Sequence, residues 1–343
     1  MPLFGIIFYM KRLLLLIILI SNYTYGQVIN KPQHDPPEII NKYTEVLFFN
    51  ECSNAITVSN DSSFNIGDTV LLIQMKGAVI DSSNTASFGT ILDYKNAGNY
   101  EFNYISQKSG NKLTFKNRLT KTYDIPGGVV QLIRVPYYTN PNFSGGLTCL
   151  PWDGTKGGVL AVIANGVLNS SAEIDITGRG FRGGEGYNAI LPASNCFENN
   201  YNYSAASQLA GYKGESIAGI SQNINKGKGS PASGGGGGLS HNSGGGGGAN
   251  AGAGGYGGYQ TDTCGNAPFD NRGIGGKNLT YTAAANKIFM GSGGGAGNVD
   301  NSDLTVPPPG GGAGGGIAII ITDSLSIFDH GIYANGANGT YCY

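Results

Sequence analysis

Charge and titratable groups are scarce in this chain. Only 13% of its 343 residues are Asp, Glu, Lys or Arg, the formal net charge is −1, and there are three histidines and one tryptophan. Without a basic stripe or an acidic tail, nothing points to nucleic acid as a partner. With so few groups titrating near neutrality, general acid–base catalysis is disfavoured too. No G-x-x-x-x-G-K-[ST], no G-x-S-x-G and no C-x-x-C occurs. Those absences remove the P-loop, the hydrolase nucleophile elbow, and the usual zinc and thioredoxin-type spacings.

Long apolar runs are missing as well. Leu13–Ile20, behind Lys11 and Arg12, has only eight residues, too few to span roughly 30 Å of hydrocarbon at 1.5 Å per residue. Thr24 and Gly26 are small enough for the cleavage positions. Residues 1–26 therefore read as an export signal, cut near Gly26, rather than a membrane anchor. The mature protein is expected to be secreted or on the outer cell surface, and not transmembrane. Five cysteines (Cys52, Cys149, Cys196, Cys264 and Cys342) fit an oxidising compartment. The final "GIYANGANGTYCY" stops inside a glycine-turn pattern, the expectation for a piece of a longer protein.

Glycine is what the chain has instead: 58 of 343 residues, against a usual share of roughly 7%. It is unevenly spread. From 27 to 148 the pattern is of short β-branched or aromatic runs such as "DTVLLIQMK", "NYEFNYISQ" and "GVVQLIRVPYY", separated by "NDSS", "KSGN" and "IPGG". That pattern predicts an all-β domain, an antiparallel barrel or sandwich of six to eight strands. From 149 to 343 a glycine-rich, repeat-built β domain is expected. At an offset of 158 residues, Gly158 matches Gly316, Val159 matches Ile317, Val167 matches Leu325, Ile174 matches Ile332 and Gly178 matches Gly336. Each copy is a glycine-led apolar strand, a link, a second strand and a glycine exit. Units of this kind stack as coils of a β-solenoid or pair within one sheet.

The copies flank an insertion, 185–313, that holds the densest glycine; 15 of the 25 residues from Gly234 to Gly258 are glycine. A flexible linker is one reading. The other is a polyglycine bundle: extended runs with three residues per turn, close enough without Cβ atoms to pair N–H with C=O between runs. Cys196 and Cys264 bracket the densest run, and a disulfide between them would offset the entropy lost in ordering glycine.

Candidate sites are few. "IDITGRGFRGG" carries Gly178, Gly180 and Gly183 in G-x-G-x-x-G spacing, but no helical pattern follows, so these glycines are expected to form a β-corner rather than a nucleotide cradle. Asp175, Arg179 and Arg182 surround that corner, the only charges resembling a β-helix lyase or hydrolase site. Asp300 and Asp303 follow a glycine run, but Val299 stands where the calcium-binding nonapeptide needs Asp, so calcium is a weak expectation and no other cofactor is indicated. The Tyr/Asn-rich segment 195–212, with Asn199, Asn200, Tyr201, Tyr203 and Tyr212, suits a contact surface: Tyr supplies amphipathic area at low entropic cost and Asn adaptable hydrogen bonds.

"LIRVPYYTN", "LTCLPWDGTKGGVLAVIANGVLNSSAEIDITGRGFRGGEG", "YKGESIAG" and "GSPASGGGGGLSHNSGGGGGANAGAGG" together resemble large, exported, glycine-rich β-helix-like bacterial surface proteins of the type IX secretion and gliding-associated kind. The likeness runs over roughly residues 67–258. Glycine runs also give a fainter likeness to the polyglycine bundles of phage adhesins and to the glycine-rich ligand-binding region of certain receptor kinases. The group has no settled activity; the expectation for this chain is a non-enzymatic adhesin or display scaffold, with a surface glycan or protein as ligand. A carbohydrate-active β-helix enzyme and an inert spacer of a larger surface protein are the alternatives.

Overall fold

The computed structural model describes residues 35–187, 199–239, 242–260, 270–280, 286–299 and 308–340. The export-signal residues, Cys196, Cys264, Asp300 and Asp303 lie outside the described residues. Among the described residues there is no helix, and the chain is all-β with long extended segments.

The N-terminal part is a closed six-stranded antiparallel barrel. Its strands are β2 (Lys42–Asn50), β3 (Ala55–Val58), β4 (Thr69–Gln74), β7 (Tyr100–Ser109), β8 (Lys112–Phe115) and β9 (Val130–Arg134), in the order β2-β3-β8-β7-β4-β9. A small hairpin, β5 (Val79–Ile80) with β6 (Ile91–Asp93), projects from it. Side chains fill an interior of this size: Val46, Ile56, Val58, Phe64, Val70, Leu72, Ile105, Leu113 and Leu132 form one cluster. Alternate residues of β4 and β9 point outward, yet Leu71, Ile73 and Ile133 are fully buried too. They pack with Trp152, Phe181, Met290 and Ile317 in a second cluster that joins the barrel to the glycine-rich part. This is why "TVLLI" reads as an unbroken apolar run. Burying apolar area is worth roughly 25 cal/mol per Å², so that shared core attaches the two parts to each other.

After Arg134 the pairing becomes parallel. Three passes of the chain each place one strand in each of three sheets. The first pass is β10 (Tyr137–Thr139), β11 (Asn142–Phe143) and β12 (Leu147–Thr148). The second is β13 (Val159–Asn165), β14 (Val167–Ser170) and β15 (Ile174–Asp175). The third is β16 (Ile317–Ile321), β17 (Ser324–Ser326) and β18 (Ile332–Tyr333). The N-terminal β1 (Glu38–Ile39) extends the sheet of β12, β15 and β18. Strands at 137–148 therefore pair with those after residue 149, and the barrel itself ends at Arg134. β13 is buried on both faces: Leu160 and Val162 meet Phe143, Leu168, Ile174 and Ile320, whereas Val159 and Ala161 face the shared core.

Val159 through Ile163 pair with Ile317 through Ile321, an offset of 158 residues, and Ile174 pairs with Ile332 at the same offset. Between β14 and β17 the offset shortens by one: Leu168, not Val167, stands beside Leu325. The links before these strands differ in length, and the inward-facing leucines set the register.

Candidate contact surface in the glycine-run region

Between β15 and β16 the chain runs back and forth in extended glycine-rich segments tied together by backbone hydrogen bonds. In the run Gly235–Gly238 successive amides turn to different neighbours: Gly235 donates to Gly293 O, Gly236 to Ile274 O, Gly237 to Gly227 O, and Gly238 to Ala296 O. Gly235 and Gly238, three apart, reach residues three apart on one neighbour. The same period holds where Gly244 and Gly247 donate to Gly258 O and Gly255 O, and where Ser292, Gly295 and Asn298 donate to Ala249 O, Gly246 O and Ser243 O. A three-residue period is that of an extended helix with three residues per turn.

Glycine is needed here for closeness rather than for φ. After Gly227, no described glycine has a left-handed φ. A Cβ on Gly293 would instead sit 1.9 Å from Arg182 O, and one on Gly237 2.0 Å from Gly211 O.

Carbonyls at the ends of the runs are collected by lysines. Lys213, 6% exposed, donates from Nζ to the carbonyls of Tyr201, Gly227 and Gly229 at 2.5, 2.8 and 2.7 Å, and lies 4.5 Å above the Phe88 ring. Burial, and then the charge of Lys277, push it well below the usual lysine range. Lys277 donates to Phe88 O and to Ser230 Oγ. Lys226 donates to Ser207 O at 2.6 Å, with the Tyr187 ring 3.6 Å and the Tyr212 ring 4.4 Å from its Nζ; burial pushes it down to about 8. Lys228 donates to Asn199 Oδ1 and Asp270 O and lies 4.9 Å from the Tyr201 ring. Such groups are buried acceptably because each ammonium proton finds an oxygen or an aromatic face.

The Tyr/Asn segment is brought together by this arrangement. Asn84, in the β5–β6 loop, donates to Asn200 Oδ1 and accepts from the amides of Tyr201 and Asn202; Asn200 donates to the Tyr203 hydroxyl. Tyr203 and Tyr212 both bridge to Lys226 through backbone pairing. Tyr201, Tyr203 and Tyr212 are half-buried, and the rings of Tyr201 and Tyr212 form walls beside lysines; Asn199 is exposed. The five residues thus share one fixed patch, with the tyrosines offering part of each ring to solvent.

A second aromatic group escaped the sequence reading. Tyr256 and Tyr259 are 60% and 72% exposed, and the Arg272 guanidinium lies 4.9 and 3.9 Å from their ring centres, held by a two-pronged bond to Asp270. The signal was the spacing in "GGYGGY": three residues bring a side chain back to the same side of a three-per-turn run.

The remaining candidates are structural. Gly178 has φ +65, and Gly178, Gly180, Phe181 and Gly184 donate to Asn335 O, Gly314 O, Gly291 O and Gly294 O, so these four amides of "GRGFRGG" are committed to neighbouring segments. Asp175 accepts from the Thr177 amide. Arg182 and Lys76 both pair with Glu215, Arg182 through two bonds of 3.0 and 2.8 Å. Burial raises the Glu215 carboxyl, but hydrogen bonds from Arg182 and the Lys76 charge outweigh it and hold it at about 2. This ion network fastens the barrel to the glycine runs. Among the described residues no group of three or more His, Cys, Asp or Glu could hold a metal ion.

No protein-family model and no curated protein matches the chain. Among solved structures, the Gp54 tailspike of Acinetobacter baumannii bacteriophage AP22, in complex with A. baumannii capsular saccharide, is similar over 39% of this chain at 14% identity and a TM-score of 0.20. The match spans 25% of that tailspike.

Proposed function

We propose that this protein is a secreted or cell-surface, non-enzymatic adhesin or display scaffold. In this reading the three parallel-strand passes are coils of a glycine-rich β-solenoid, and the glycine runs are a polyglycine bundle inserted between two coils. The patch of Asn199, Asn200, Tyr201, Tyr203 and Tyr212 is the contact face for a surface glycan or protein. One observation supports it above others: the charged groups of the region are spent on cross-links between runs. Lys213, Lys226, Lys228 and Lys277 bind carbonyls, and Arg182 and Lys76 bind Glu215. Such a body holds a surface rigidly and brings little chemistry of its own.

The test is attachment of purified protein to intact bacterial cells and to a glycan array. Wild type is compared with the Asn199→Ala/Tyr203→Ala double variant, thermal melting being followed in parallel. Attachment at least tenfold weaker is expected from a protein still folded at the assay temperature, with a somewhat lower melting temperature because Asn199 Oδ1 accepts from the buried Lys228. Equal attachment overturns the contact face, and failure of the wild type to attach anywhere overturns adhesion in favour of a spacer.

A further inference from the structure

The glycine runs enclose a cleft of about 850 Å³, bordered by residues 242–248, 292–299, 309–313 and 336–340. Its walls are mostly backbone, and the hydrogen bonding along them is incomplete in a regular way. In the run 242–249, Gly244 and Gly247 donate in one direction, to Gly258 O and Gly255 O, and Gly246 and Ala249 in a second, to Gly236 O and Ser233 O. With three residues per turn the remaining amides, Gly245 and Gly248, point in the third direction. Both border the cleft, both are half-buried, and among the described residues neither has an acceptor. On the opposite wall Gly311 and Gly314 donate to Gly184 O and Phe181 O, whereas Gly312, also bordering the cleft, has no acceptor among the described residues. Asn298 borders the cleft, and its Oδ1, buried behind the wall, has no hydrogen-bond partner among the described residues. Buried polar atoms are rarely left this way.

We propose that this cleft is a vacant position in the bundle and binds an extended, glycine-rich strand of a partner protein, three residues per turn. The occupant's carbonyls accept from Gly245, Gly248 and Gly312. Residues 242–248 run for roughly 20 Å at 3.1 Å per residue, so about two turns are held, and the amides of Gly245 and Gly248 match carbonyls three residues apart. The occupant must be glycine-rich because of the spacing between runs. Where positions are filled, a Cβ on Gly235, Gly293 or Gly311 would lie 1.9–2.0 Å from a neighbouring backbone oxygen. Gly294, on the cleft wall, differs: the atoms nearest a Cβ there are Gly246 O at 3.4 Å, Gly312 N at 3.6 Å and Gly248 N at 3.8 Å. Alanine at 294 is therefore accommodated by the protein alone but projects into the space a strand needs.

The experiment titrates isotope-labelled protein with a soluble peptide of four Gly-Gly-Asn repeats, a lysine at each end. Its NMR readout is the set of backbone amide signals. Saturable shifts are expected at Gly245, Gly248 and Gly312, with their exchange slowed at least tenfold. Gly294→Ala should weaken binding at least tenfold without changing the melting temperature, and Gly252→Ala, outside the cleft, should bind as wild type. If Gly294→Ala proves unstable, Gly336→Ala, where the nearest atom to a Cβ is Ala313 O at 3.5 Å, takes its place. No saturable shift, equal binding by the cleft variant, or equal binding of a peptide with every glycine replaced by alanine overturns the proposal.

Discussion

Gly257 and Gly258 are neighbours in one run, and alanine should act on them with opposite sign. A Cβ on Gly257 would lie 2.0 Å from Gly244 O and 2.4 Å from Gly244 C. Ordinary contact for such atoms is above roughly 3 Å, so the two runs would have to part by about 1 Å or more. That movement strains the bonds from Gly257 to Gly273 O and from Gly273 to Gly244 O, both 2.9 Å. Overpacking costs about 1–3 kcal/mol and a weakened hydrogen bond about 1 kcal/mol more, giving about 2–4 kcal/mol of destabilisation. At Gly258 a Cβ meets nothing within 4 Å, and φ is outside the left-handed region. There Gly→Ala acts through the unfolded chain alone and stabilises by about 0.4–1 kcal/mol. Urea unfolding with a common slope separates the two: the midpoint falls for Gly257→Ala and rises slightly for Gly258→Ala. Equal effects, or a stabilised Gly257→Ala, would refute close approach as the reason for glycine.

Glu215, whose folded carboxyl is held at about 2 against an ordinary 4.5, contributes stability that is present above about pH 5 and lost as pH falls towards 2. That loss is about 2–3 kcal/mol, and Glu215→Gln should flatten the acid limb of a stability–pH curve. Lys226, pushed down to about 8 by burial, binds its proton less well folded than unfolded. Stability should therefore rise with pH between about 8 and 10, and Lys226→Met should reduce that slope. Cys52 is exposed, whereas Cys149 is buried and its thiol pushed up to about 12 by burial. Peptide mapping after iodoacetamide should find Cys52 alkylated in the native protein and Cys149 only after unfolding.

Much of the fold was readable from turn chemistry and from an internal match in the sequence. Turn residues punctuate the barrel strands, and Val159–Ile163 and Ile317–Ile321 match in sequence because they lie side by side. β2 was harder to see: Leu47 and Phe48 are exposed at 45% and 58%, so "KYTEVLFFN" lacks a clean alternation. The contact patch was legible only as composition. Which tyrosines would stand beside lysines depends on pairings such as Tyr203 with Lys226 and Asn84 with Asn200, 116 residues apart for the latter, and no local pattern encodes those. Nothing local marked Arg182 as half of an ion pair, because its partner Glu215 arrives 33 residues later.

Amide hydrogen exchange along the glycine runs tests the central claim, that backbone pairing makes these runs a rigid body. The amides of Gly235, Gly236, Gly238, Gly246, Gly293 and Gly295, each bonded to a neighbouring run, should exchange at least a hundredfold more slowly than in an unstructured glycine peptide. Gly245 and Gly248, without acceptors among the described residues, should exchange fast in the same runs. Uniformly fast exchange from Gly234 to Gly258 would contradict the account and leave the runs as a linker.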